Sequence, residues 1–138
     1  MGIEEQKIKF LEIIQGIINR IASNSFSLKQ WTVSLLVGVF VLCEKSANRA
    51  FLIIAYFPIL FFWLLDSYYL QQERLYRKVY DEKQGHSTID YTIIKPKPKR
   101  VDKTLYIQCI VSIAELLFYM SLAAAVALLS LILNNNFR

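Results

Sequence analysis

Glu115 is the only charged residue in an otherwise apolar and uncharged-polar run from 105 to 133. As one helix at about 1.5 Å per residue, the run would be roughly 43 Å long, more than the ~30 Å hydrocarbon core of a bilayer, and it reads as a transmembrane helix. A carboxylate inside such a helix costs about 2.5–3.5 kcal/mol on insertion scales, so it belongs against other helices or water, away from lipid. Gln108, Ser112, Glu115, Tyr119, Ala123, Val126 and Ser130 recur at steps of three and four, which gathers them on one helical face. One reading has this stripe pack helices together without a pore, as small and polar residues do in many membrane bundles. A second has symmetric copies turn it inward as a pore lining, with Glu115 repeated as a carboxylate ring that attracts cations. A third buries Glu115 against a neighbouring span, paired or protonated.

The second group of residues with chemical potential is basic. Arg74, Arg77, Lys78, Lys95, Lys97, Lys99, Arg100 and Lys103 precede the apolar run, and four of them fall in the segment Lys-Pro-Lys-Pro-Lys-Arg at 95–100. Lysines and arginines beside a span orient it and hold anionic lipid at about 1 kcal/mol each. The same groups suit a phosphate backbone, and Tyr76, Tyr80 and Tyr91 supply rings on which bases could stack. Enzymatic chemistry has little to stand on. The single histidine, His86, follows Gly85 in a polar stretch, there is no phosphate-cradling glycine loop, and Cys43 and Cys109 sit alone in apolar segments. No catalytic residue, metal or cofactor is expected.

These residues must be held by few elements. The chain has 138 residues, 55% of them hydrophobic, which is too short for two ordinary domains and apolar enough for one membrane module per subunit. Residues 1–24 read as an amphipathic helix, with Phe10, Ile13, Ile14, Ile17, Ile18 and Ile21 at helical spacing. Such a helix lies on the inner leaflet through Lys7, Lys9 and Arg20, or packs on other protein. Ser23, Asn24, Ser25 and Ser27 are expected to end it and cap the next helix. Residues 25–48 contain a first span at 28–43, with Lys29 snorkelling at one end and Trp31 at the interface, followed by a hairpin at 44–49. Residues 49–83 form a second span at 50–70, with Pro58 able to kink it and Asp66 near its far end. This helix runs on without a stop signal until Gly85. Residues 84–103 form a basic linker, with a short strand possible at 87–94, and residues 104–138 hold the third span and a tail.

The basic residues between the second and third spans far outnumber Lys45 and Arg49 in the opposite hairpin, so the positive-inside rule places this insert and the amino terminus in the cytoplasm. A few short helices bury little surface on their own, and symmetric association is expected to complete the core or a pore.

Two segments carry a resemblance. In the first, residues 18–32, Ala22-Ser23-Asn24-Ser25-Phe26 stands ahead of Gln30-Trp31-Thr32. In the second, Asp66-Ser67-Tyr68-Tyr69-Leu70 continues to Arg74-Leu75-Tyr76-Arg77-Lys78. Both resemble small bacterial membrane proteins encoded in anti-phage defence loci, and among them the membrane effectors of Hailong systems. The resemblance covers about the first 80 residues, and no ligand-binding motif of the group maps onto 83–104. It implies a tetrameric channel that partners a nucleotidyltransferase and is kept closed by single-stranded DNA oligomers. Together these observations predict an all-α membrane protein of three spans that forms a homo-oligomeric pore in the bacterial inner membrane and answers to an oligonucleotide. The alternatives are a pore-forming toxin without a ligand and a non-conducting anchor or scaffold.

Overall fold

The computed structural model describes residues 3–46, 53–85 and 103–136. The regular elements in these residues are all helical: α1 (Ile3–Ser46), α2 (Tyr56–Gly85), α3 (Lys103–Ile110) and α4 (Ile113–Asn136). The expected end of the first helix at Ser23–Ser27 does not occur, so residues 1–24 and 25–48 are not separate units. α1 runs through them for 44 residues, about 66 Å at ~1.5 Å per residue. Serine and asparagine are only mildly unfavourable inside a helix, and the Ser27 hydroxyl is satisfied there by donating to the Ser23 carbonyl at 3.0 Å. Continuity is reinforced by α2, which lies antiparallel along most of α1. Lys7 donates to the Gln84 carbonyl at 3.1 Å, near one end of the pair. Phe10, Ile14 and Ile18 pack with Tyr76, Val79 and Tyr80. Further along, Lys29 meets Asp66, and Leu36 clusters with Ala55 and Ile59.

The expected irregularity at Pro58 falls three residues earlier. Ile53 and Ile54 are helical and a turn at Ala55 separates them from α2. Proline has no N–H to give residue 54 and its ring crowds that carbonyl, so the helix restarts with Pro58 in its first turn.

The run 105–133 is likewise not one helix. Val111 still donates to Ile107 at 3.0 Å, Ser112 donates to Cys109 at 3.1 Å in a tightened turn, and the Ser112 carbonyl then accepts the Leu116 N–H at 2.9 Å to begin α4. Contacts with α2 hold this joint. The Trp63 indole N–H donates to the Ile110 carbonyl at 3.2 Å, and the Tyr106 hydroxyl donates to the Leu64 carbonyl at 3.0 Å. Trp63 and Leu64 are adjacent on α2, so the two contacts fix α3 and its end to one turn of that helix. We expect Trp63→Phe, which keeps a ring and loses the donor, to cost about 1 kcal/mol. Amide exchange around 111–113 should quicken; unchanged protection there would leave Tyr106 and Ser112 as the organisers of the joint.

α4 packs along the half of α2 that precedes Asp66. Tyr119 and Val126 join Leu36, Ala55 and Ile59 in a buried core flanked by Phe40, Phe62, Trp63 and Leu122. Two helical stretches are long and apolar enough to cross a membrane: Glu4–Leu42, whose most apolar window has a mean hydropathy of 1.4, and Ile113–Ile132, whose window reaches 2.1. Of the second expected span, 50–52 lie outside the described residues, as do the possible strand at 87–94 and the Lys-Pro-Lys-Pro-Lys-Arg segment.

Candidate functional site: a charged layer where three helices meet

On α1, Ser25, Lys29 and Thr32 are spaced to share a face, as are Glu115 and Tyr119 on α4. The helix packing turns both faces toward Asp66 of α2. Lys29 forms an ion pair with Asp66 and donates to Glu115 Oε1 at 3.0 Å and to Ser25 Oγ at 3.3 Å, which uses all three ammonium protons. Asp66 Oδ1 accepts from the Ser25 hydroxyl, and its Oδ2 also accepts from the Tyr119 hydroxyl at 3.1 Å. The ammonium lies 5.8 Å from the centre of the Phe118 ring, within cation–π range. Asp66 is fully buried and Glu115 is 3% exposed.

The charges do not balance. One ammonium stands between two carboxylates, and Glu115 Oε2 is buried without a hydrogen-bond partner among the described residues. A buried carboxylate is tolerable only when paired and hydrogen-bonded, so displacing any one of the three helices leaves a charge exposed to that penalty. The layer therefore acts as a latch: each helix contributes one charge, and none can slide alone at low cost. Arg74 donates to Ser112 Oγ at 3.3 Å, one helical turn ahead of Glu115, which ties the joint to α2. Ser67 and Thr32, also fully buried, donate to the Trp63 and Leu28 carbonyls of their own helices, each at 2.8 Å.

The expected polar stripe is only partly assembled, and its α4 part faces inward within the chain's own helix packing. Glu115, Tyr119 and Val126 are buried, Ser112, Ala123 and Ser130 are half-buried, and Gln108 is exposed on α3 beyond the joint. Of the readings of Glu115, burial against a neighbouring span with a paired partner describes this geometry. Asp66 meets a lysine of a neighbouring helix. Lys29 does not snorkel outward but turns into the layer. Its role was missed because a lysine near the end of an apolar run reads as an interfacial anchor. The available signal was Ser25 and Thr32 flanking it at helical spacing.

The basic residues are not gathered into one site. Arg74 is engaged at the joint, Arg77 is exposed and paired with Glu73 at 2.7 Å, and Lys78 and Lys103 are exposed. Lys95, Lys97, Lys99 and Arg100 lie outside the described residues, as do His86 and Tyr91. Tyr76 and Tyr80 pack against Phe10, Ile14 and Ile18, and that contact occupies ring surface expected to stack bases. Among the described residues no cluster of three or more histidine, cysteine or carboxylate groups is placed to hold a metal ion. Comparison with protein-family models, curated proteins and solved structures yields no match to this chain.

Proposed function

We propose that the chain is the subunit of a homo-oligomeric ion channel in a bacterial inner membrane, an anti-phage effector controlled by an oligonucleotide, single-stranded DNA made by a nucleotidyltransferase partner. The observation that carries this reading is the position of the charged layer. On one side of it lie the apolar half of α1, the start of α2 and all of α4; on the other, α1 and α2 continue as a charged pair bearing Glu4, Glu5, Lys7, Lys9, Glu12, Arg20, Arg77 and Lys78. In this proposal the first group spans the bilayer three times, the charged pair stands in the cytoplasm as a stalk, and the layer marks the cytoplasmic mouth. Glu115, buried and ion-paired with Lys29, holds the helices together at that mouth in this proposal and is not part of the path's lining. The basic segment at 95–100 is joined through α3 to Ser112 and the layer, so an anion bound there can bias the joint. The defence role and the nucleotidyltransferase rest on the resemblance at 18–32 and 66–78.

A non-conducting membrane anchor is the second reading, favoured by the inward-facing stripe, whose Tyr119 and Val126 are already used in the subunit's own core. Planar-bilayer recording of the purified protein separates the readings. The channel reading expects currents that fall on adding single-stranded DNA oligomers and loss of current in Ala123→Trp, while Glu115→Gln, at a buried and paired position, should change stability and oligomer yield. Currents indifferent to oligonucleotide would indicate a toxin-like pore; no current from an intact oligomer, with or without oligonucleotide, favours the anchor.

A further inference from the structure

In the stalk, formed by the first half of α1 and the last part of α2, α2 covers only the centre of a broad apolar arc on α1. Phe10, Ile14 and Ile18 are buried there, whereas Ile13 and Ile8 stay 53% and 56% exposed. With about 100° of rotation per residue, Ile13 and Ile8 stand roughly 100° and 120° to either side of Ile14, so they mark two separate flanks. Each flank has a shallow groove. One is lined by Gln6, Lys9, Phe10 and Ile13, the other by Ile8, Leu11, Glu12, Gln15 and Tyr80. Among the described residues, the charge lining the first is a lysine and the charge lining the second is a glutamate.

We infer that the two flanks are the two halves of one subunit contact, with the Ile13–Lys9 flank of each copy seated on the Ile8–Glu12 flank of the next. The inference rests on the homo-oligomer reading and names the surface that reading needs. A second copy fits better than a lipid surface: a helix lying on a membrane presents one continuous apolar face, and here the middle of that face is already occupied by α2. Opposite charges beside the two isoleucines set the pairing, because like flanks would bring Lys9 to Lys9 or Glu12 to Glu12. Contacts between unlike flanks are heterologous, and repeated around an axis they close into a ring.

The test uses the full chain in a Cys43→Ser, Cys109→Ser background, treated with a short bis-maleimide after mass photometry has counted the subunits. Ile8→Cys alone and Ile13→Cys alone should give monomer bands, and the double variant a ladder ending at the counted ring size. Lys9→Glu and Glu12→Lys should each reduce that ladder by about threefold per contact, with recovery when combined. Dimers from a single-cysteine variant at the yield of the double variant would show an isologous contact and overturn the inference. So would an intact ring without a ladder, which leaves the oligomer standing with its interface elsewhere. Monomers alone by mass photometry would instead remove the homo-oligomer reading, and this contact with it.

Discussion

Lys29→Met should be the most damaging single substitution, costing about 3–5 kcal/mol of stability, because it leaves Asp66 and Glu115 buried without their shared cation. The methionine fills much of the lysine's volume, so the loss is electrostatic and not a cavity effect. Ser25 and Tyr119 still donate to Asp66, but Glu115 loses its ion-pair partner, with its Oε2 already unpartnered among the described residues. Thermal unfolding in detergent, followed by the survival of the soluble species on size-exclusion chromatography, reads the effect. Adding Asp66→Asn and Glu115→Gln to Lys29→Met should recover most of it. Neutral groups of the same shape cost far less to bury, and an amide at 66 can still accept from Tyr119. A Lys29→Met protein as heat-resistant as the wild type would mean that Lys29 does not carry the layer.

The second large effect is expected at the basic segment. Converting Lys95, Lys97, Lys99 and Arg100 to Gln removes four cations that can each displace a counterion from a single strand. The salt slope of oligonucleotide binding should then fall by about 3, which makes the affinity lost between 50 and 200 mM salt about 50-fold smaller. Affinity at low salt should fall as well, and similarly for strands of different sequence, since backbone contacts do not read bases. Fluorescence anisotropy with a labelled single-stranded DNA oligomer at several salt concentrations measures both quantities. An unchanged slope would move the contact to Arg77, Lys78 and Lys103, which are exposed on α2 and α3, or remove the oligonucleotide from the reading.

These two regions differ in how far the residue order alone could reach. The cluster of lysines and arginines around two prolines announces its charge whatever the fold, because each side chain acts on a polyanion through solvent. The layer does not announce itself. Glu115 stands out as a lone carboxylate in an apolar run and Asp66 as one near the end of another, but their partner is 86 and 37 positions away in the chain, respectively. Only the flanking Ser25 and Thr32 hint locally that the lysine turns inward, and neither names its partners.

From the sequence alone came the all-helical class, the apolar stretches, the amphipathic arc of Phe10, Ile14 and Ile18, and the helix running unbroken from Asp66 towards Gly85. Each follows from periodicity and from the absence of breakers, which act within a few residues of chain. Only the tertiary structure decided that α1 passes through its serines, that the last apolar run breaks at Val111–Ser112, and that Lys29 joins Asp66 and Glu115. The serines were weak stop signals outweighed by the packing of α2 along α1. The break occurs in a stretch without glycine or proline, where Trp63 of α2 donates to the end of α3 from 47 positions away and Tyr106 of α3 donates to an α2 carbonyl 42 positions away. Local preference of a few tenths of a kcal/mol per residue set the menu of elements. Contacts between helices, each worth more and invisible in the order of residues, chose where those elements begin and end.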